Sequence, residues 1–156
     1  MKTASISELK KDLKHSSQEE LVELCLNLAK FKKENKELLT YLLYESSDEE
    51  QFIVNIKEET SFMFTEINTT SFYLMKKTVR KIQRTVKKYI RYSKQKETEV
   101  ELLIHFCVEL KKLRPSISKN LVLTNIFDRQ KAAIEKSIQS LHEDLQYDYL
   151  KELEDL

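Results

Sequence analysis

The chain has 156 residues, of which 40% are hydrophobic and 34% charged, and it contains one proline and no glycine. Average usage would give roughly eleven glycines, so phosphate loops, nucleophile elbows and calcium loops, which need a backbone φ above zero, are excluded. The 27 basic and 26 acidic residues leave a net charge of +1, which by itself singles out no partner. The composition is too apolar for a disordered chain and predicts one helical domain over residues 1–156.

The first half of the chain carries repeated helix-start signals, in which Ser is followed three residues later by Glu. This is the capping-box pattern. Ser5 predicts a short first helix, and Ser17 predicts a second whose apolar positions follow the i, i+3, i+4, i+7 spacing. Asn35 is expected to begin a third helix. Ser47 is expected to cap a fourth, which runs to about Ile67.

The clearest apolar period follows a polar break at residues 68–71, where Thr70 or Ser71 is expected to cap the next helix. The spacing alternates three and four over almost three heptads, at Phe72, Met75, Val79, Ile82, Val86 and Tyr89. A sixth helix is predicted from about Glu97 to Leu113, ahead of the single proline.

The last helical region is predicted to begin near Ser118, either as one long helix or as two with a kink near Leu141. No segment shows the sustained alternation of a strand. The prediction is therefore an all-α fold, an irregular bundle of six to eight helices, with a short α-solenoid as the alternative. The longest wholly apolar stretches are four residues long, so no transmembrane helix and no signal peptide are expected. Cys25 and Cys107 are expected to be reduced, buried thiols in a cytoplasmic protein.

The segment Leu9–Tyr44 resembles the opening of an uncharacterised family of small bacterial helical proteins. The resemblance lies in a leucine–lysine segment, a Ser-x-Glu-Glu-Leu helix start, an amphipathic helix and a Lys-Glu pair before a tyrosine. These residues are Leu9–Lys14, Ser17–Leu21, Leu24, Leu28, Lys36, Glu37 and Tyr41. The family has no assigned activity, so the resemblance implies an all-helical fold and no catalytic residue.

A strongly basic segment lies between Glu66 and Glu97, with ten Lys and Arg residues and no acidic residue. Most of these cations fall at heptad positions b, c and f, opposite the apolar seam. We call the following set the basic face: Lys76, Lys77, Arg80, Lys81, Arg84, Lys87, Lys88 and Arg91. It is a candidate surface for an anionic partner, such as a nucleic-acid backbone, an acidic protein or an acidic membrane. Tyr89 and Tyr92 are candidate stacking residues beside it, although Tyr89 also ends the apolar period and is expected to lie in the core.

Acidic segments on either side offer a structural alternative for the basic face. One precedes it, from Glu45 to Glu66, and the other is the C-terminal segment from Glu143 to Asp155. Either could neutralise the cations within the chain or across a dimer. The basic face would then set helix register or partner orientation rather than bind an anion.

Candidates for catalysis and metal binding are sparse. No His has another His or Cys at i+3 or i+4, and no Glu-x-x-His pair is present, so no metal site is predicted. Glu101 and His105 are four residues apart and could hydrogen-bond, which more often indicates a structural contact than an acid–base pair. Ser116 and Lys119 match part of the serine–lysine acylase pattern, but helix capping explains them. We therefore predict no enzyme, cofactor or small-molecule substrate.

Two functions remain after these exclusions. The first is a helical interaction or structural module that acts by protein–protein contact, with a protein partner or as a homodimer. The alternative is a nucleic-acid-associated protein that binds the phosphate backbone through Lys76–Lys96.

Overall fold

The computed structural model describes all residues 1–156 and confirms the all-α prediction, because it contains eight α-helices and no strand. A π-helical turn at Tyr41–Glu45 and a 3₁₀ turn at Ile117–Lys119 complete the secondary structure. The helices are α1 (Ile6–Leu13), α2 (Gln18–Phe31), α3 (Lys33–Thr40), α4 (Glu49–Thr65), α5 (Phe72–Ser93), α6 (Lys96–Lys112), α7 (Leu121–Ile138) and α8 (Glu143–Glu154).

The chain divides into two compact units, Met1–Tyr44 and Glu45–Leu156. In the first unit α2 packs against α3. In the second unit α6 packs against α4, α5, α7 and α8, so this unit is a bundle around a central helix. The single domain over residues 1–156 stays a prediction.

Both predicted capping boxes of the first unit are present. The Ser5 backbone N–H donates to the Glu8 carboxylate at 2.7 Å, and the Glu8 N–H donates back to Ser5 Oγ. Ser17 and Glu20 repeat the arrangement at the start of α2. The backbone hydrogen bond from each serine lowers the pKa of its glutamate partner. The starting residues of these two helices are therefore set by local hydrogen bonds.

The predicted starts of α3 and α4 are displaced. Helix α3 begins at Lys33 rather than Asn35, because the Asn35 side chain instead donates to the Leu28 carbonyl near the end of α2. Helix α4 is capped by Asp48, whose carboxylate accepts from the Gln51 N–H, and not by Ser47. Asp48 thus meets an orphan backbone N–H at the start of α4, whereas α3 begins at Lys33 without a side-chain cap.

Helices α4 and α5 each bury one stripe. In α5 the predicted seam is buried at Met75, Val79, Ile82 and Val86, each at most 1% exposed, and Ser71 caps the helix as expected. In α4 the buried positions recur every four residues, at Phe52, Ile56, Thr60 and Phe64. The Phe64 ring meets the Phe106 ring of α6 edge to face, with centroids 5.5 Å apart. These contacts place the polar side of α5 away from the core.

Helix α6 is buried on most of its circumference, which fits its central position. Its buried positions are Thr98, Val100, Leu102, Leu103, Ile104, Phe106, Cys107 and Leu110. The last helical region is two helices, and the break at residues 139–142 lies where the kink near Leu141 was predicted. Asn120 caps α7, after a 3₁₀ turn that takes up the expected start near Ser118.

Candidate functional site

The basic face lies on the solvent side of α5. Six of its members are exposed, and Lys76 and Lys88 are half-buried. Because the apolar seam of the same helix is almost completely buried, packing in the core fixes the rotation of α5 and hence the direction of the cations. The exposed members are Lys77, Arg80, Lys81, Arg84, Lys87 and Arg91.

Lys88 is the one member of the basic face that contacts aromatic rings. Its ammonium lies 4.7 Å from the centroid of the Tyr89 ring and 6.0 Å from that of Tyr92. The side chains of the other members form neither an ion pair nor a hydrogen bond within the chain. Their positive charge is thus not cancelled by direct pairing with the acidic segments of the same chain.

The acidic side chains near α5 have other partners. Glu59 accepts a hydrogen bond from the Tyr89 hydroxyl at 3.0 Å, and Glu49 accepts from the hydroxyls of Ser93 and Thr98. Tyr89 also meets Phe52 edge to face. Tyr92 is buried, so it cannot stack on a nucleic-acid base, contrary to the sequence prediction. Tyr89 therefore belongs to the α4–α5 packing, and the Tyr92 ring packs edge to face against it.

A polar cluster joins α4, α6 and α8 in the second unit. The Lys57 ammonium pairs with the Glu101 carboxylate, and the Tyr149 hydroxyl donates to Glu101 at 2.7 Å. Burial alone would raise the pKa of Glu101, but the hydrogen bonds from Lys57 and Tyr149 outweigh it and lower that pKa. The pKa of Tyr149 is raised by burial and by its hydrogen bond to Glu101.

His105 belongs to the same region but does not bond to Glu101, although their spacing would allow it. A hydrogen bond of 2.8 Å instead joins its Nε2 to the Ser61 hydroxyl on α4. Burial lowers the pKa of His105, which favours the neutral imidazole. Sequence reasoning missed Lys57, Ser61 and Tyr149, because each lies 44 or more positions from its partner.

The first unit presents a second candidate surface, made of exposed apolar side chains. Helices α1, α2 and α3 bury no residue, and Tyr41 is the only buried apolar side chain of this unit. Large apolar side chains are exposed along α1 and α2, namely Ile6, Leu9, Leu13, Val22, Leu24, Leu26, Leu28 and Phe31. So many exposed large apolar side chains in one small unit are typical of an interaction surface.

Two open grooves on this unit carry opposite charges. We call the first the lysine groove, which is lined chiefly by α1 with Ile6, Leu9, Lys10, Leu13, Lys14, Ser16 and Leu21. We call the second the glutamate groove, which is lined by α2 with Gln18, Glu19, Val22, Glu23 and Leu26. Lys10, Lys14, Glu19 and Glu23 form no ion pair within the chain.

No family model, no curated protein and no solved structure matches this chain. The resemblance of Leu9–Tyr44 to a bacterial helical family stays a prediction. The function of the chain is therefore inferred from its own residues and their geometry.

Reactive groups elsewhere in the chain are few. No three His, Cys, Asp or Glu side chains come together in a way that could hold a metal ion, and no helix has the length and hydrophobicity needed to cross a membrane.

Cys107 is buried as expected, and burial raises its pKa to about 12. The prediction of a buried Cys25 is wrong, because α2 has no core to enter and the thiol is exposed. Ser116 Oγ accepts from the Ser118 N–H and caps the 3₁₀ turn.

Proposed function

We propose that this protein is a non-enzymatic helical interaction module that acts by protein–protein contact through its first unit. The single observation that carries the proposal is that α1 and α2 are amphipathic helices which bury no side chain. Burying apolar surface stabilises an association by about 25 cal/mol per Å² before the entropic cost of binding. The apolar side chains of α1 and α2 can be buried only if another folded surface packs against them.

The occupant is a second copy of the same chain, and charge complementarity supports this choice. Lys10 and Lys14 border the lysine groove, whereas Glu19 and Glu23 border the glutamate groove. Both pairs are spaced four residues apart, about 6 Å along a helix axis. The lysine groove of one protomer therefore matches the glutamate groove of another in apolar character, in spacing and in sign.

A two-fold axis makes this pairing self-consistent. When α1 of one protomer lies on α2 of its partner, symmetry places the partner's α1 on the first protomer's α2. The same contact is then made twice, and neither of the two grooves is left open. Exposed pairs contribute only about 0.2–1 kcal/mol each, so the apolar side chains that line the two grooves supply the affinity and the charges select the register.

Charge reversal tests the register. The variant Lys10→Glu/Lys14→Glu and the variant Glu19→Lys/Glu23→Lys each place like charges across both contacts. We expect either variant alone to raise the dimer dissociation constant at least about tenfold, equivalent to about 1.4 kcal/mol. Sedimentation velocity over a range of protein concentrations measures this constant, and circular dichroism checks that the helices remain.

An equimolar mixture of the two variants gives the decisive result. In the mixed dimer one contact pairs native lysines with native glutamates, and the other pairs introduced glutamates with introduced lysines. Both contacts then join opposite charges, so we expect dimerisation to return to the level of the unmodified chain. The matched control is Lys77→Glu/Lys81→Glu, which reverses two exposed lysines with the same spacing on α5 and should leave the dissociation constant unchanged. A protein that stays monomeric at high concentration, or a mixture that shows no recovery, contradicts the proposal.

The two thiols support a cytoplasmic setting for this module. Cys25 is exposed and Cys107 buried, and neither forms a disulfide. Unpaired cysteines are typical of proteins kept in a reducing compartment. We therefore place the protein in the cytoplasm as part of the proposal.

A further inference from the structure

We infer that the basic face of α5 is a second binding surface, whose ligand is the phosphate backbone of a nucleic acid. This surface is formed by α5 of the second unit, whereas the two grooves are formed by residues of the first unit. The side chains of its members other than Lys88 form no ion pair or hydrogen bond within the chain. Unpaired cations that lie this close together repel one another, and a bound polyanion reduces that repulsion.

The cations form a continuous row along one helix. Lys76, Arg80, Arg84, Lys87 and Arg91 follow each other at intervals of three or four residues, which places them on one ridge. The row spans about 22 Å, with steps of about 5–6 Å. A small anion would touch one or two of these groups, whereas a duplex carries a charge every ~1.7 Å of its axis and can engage the whole row.

The composition of the surface favours nucleic acid over an acidic protein. Protein interfaces have a core depleted in charge and enriched in apolar and aromatic residues. The basic face has no apolar side chain among its cations, and Tyr73 at the N-terminal end of α5 is the exposed aromatic residue beside it. Arg80, Arg84 and Arg91 add guanidinium groups, whose planar donors match phosphate oxygens in pairs.

The packing of α5 also argues against a membrane surface. A helix that lies on a bilayer inserts its apolar side between the lipids. In α5 that side is formed by Met75, Val79, Ile82 and Val86, which are at most 1% exposed and occupied by the protein core. Outside the core α5 exposes mainly its cations, with Tyr73 at its N-terminal end, and cations recognise the backbone rather than the bases.

Fluorescence anisotropy with labelled 20-nucleotide probes tests the inference, using single- and double-stranded DNA and RNA at several salt concentrations. We expect binding whose affinity falls steeply with salt, with a logarithmic slope that reports the number of phosphates contacted. The variant Arg80→Gln/Arg84→Gln/Lys87→Gln should weaken binding at least tenfold at low salt. It should also reduce the slope by about two to three, since each lost contact removes about 0.7–0.9.

A matched control separates the surface from the net charge. The variant Lys119→Gln/Arg129→Gln/Lys136→Gln removes the same charge from other exposed positions of the second unit and should change the affinity less than twofold. A comparison of the affinities for the four probes shows whether the basic face prefers a duplex or a single strand. Because these substitutions lie outside α1 and α2, the result is independent of the dimer experiment.

Three outcomes would overturn the inference. The first is no binding to any probe at low salt, and the second is equal weakening by the α5 variant and its control. The third is that poly-glutamate or vesicles rich in phosphatidylserine compete with the probe at matched charge better than unlabelled nucleic acid does. That result would make the basic face a surface for acidic protein or for lipid.

Discussion

Four ionisable side chains in Glu45–Leu156 have shifted pKa values, three through burial and one through its hydrogen bonds. Burial lowers the pKa of His105 and raises that of Cys107. Burial and the neighbouring carboxylates raise the pKa of Tyr149. Glu101 is shifted the other way, because the donors on Lys57 and Tyr149 stabilise its ionised form more than burial destabilises it. These opposite shifts link folding to pH.

We predict a stability plateau from about pH 6.5 to about pH 9. Below the ordinary histidine pKa of 6.5 the unfolded chain binds a proton that folded His105 resists, so stability falls with pH. Below about pH 4.5 the contribution of Glu101 is lost as its carboxylate protonates. Above about pH 9, unfolded Cys107 and then Tyr149 release protons that the folded chain retains, so stability falls again. Urea unfolding from pH 4 to pH 11 measures the profile.

The variant His105→Gln tests the acidic side of this stability profile. It keeps a polar side chain near Ser61 but cannot be protonated, so we expect the decline between pH 6.5 and pH 5 to become shallower while the alkaline limb stays. A maximum of stability outside the plateau, or an acid limb unchanged in His105→Gln, would disprove the assigned role of this histidine.

At the scale of the element, the end of α5 shows how a chain without glycine stops a long helix. Lys94 has a φ of 60° and lies in the left-handed region, and its N–H donates to the Ile90 carbonyl at 2.9 Å. A glycine normally occupies this position, because a Cβ there costs roughly 1–2 kcal/mol. The turn to α6 therefore carries a local backbone cost.

Replacing Lys94 with glycine is predicted to stabilise the protein. Removing the Cβ relieves the left-handed backbone, and the greater freedom of glycine in the unfolded chain offsets part of that gain. We expect the free energy of unfolding to rise by about 0.5–1 kcal/mol, measured by chemical denaturation. Lys94→Ala is the control, since it removes the charge but keeps the Cβ and should give no such gain. Equal effects of the two variants would assign the change to the charge.

At the scale of the whole molecule, apolar side chains are divided unevenly between the two units. In Glu45–Leu156 the core around α6 includes Val100, Phe106 and Leu110, each fully buried. In Met1–Tyr44 three helices have amphipathic sequences without a buried residue. Packing contributes most of the stability of a helix in a protein, so the two units should differ in local stability.

Hydrogen exchange followed by mass spectrometry should reveal that difference. In dilute protein we expect the amides of α1 and α2 to exchange fastest among the helices and those of α6 slowest. When the concentration is raised, the proposed dimer should slow exchange in α1 and α2 and leave α5 unchanged. Protection of α1 equal to that of α6 in dilute solution would contradict the expectation, as would a concentration effect confined to α5.

The sequence by itself determined the features that depend on neighbours within one helical turn. The capping boxes at Ser5 and Ser17, the seam of α5 and the placement of cations opposite that seam follow from three- and four-residue spacings. The starts of α3 and α4 were misplaced by one or two residues. Asp48 rather than the neighbouring Ser47 caps α4, and α3 begins without any side-chain cap, so local spacing did not decide which residue comes first.

Only the tertiary structure decided which apolar stripes find a partner and which polar groups meet across the bundle. Cys25 and Cys107 lie on similar stripes, yet one is exposed and the other buried, because α6 is surrounded by helices and α2 is not. The pairing of Glu101 with Tyr149 joins residues 48 positions apart. Such contacts depend on how helices pack, and helical spacing carries no information about distant partners.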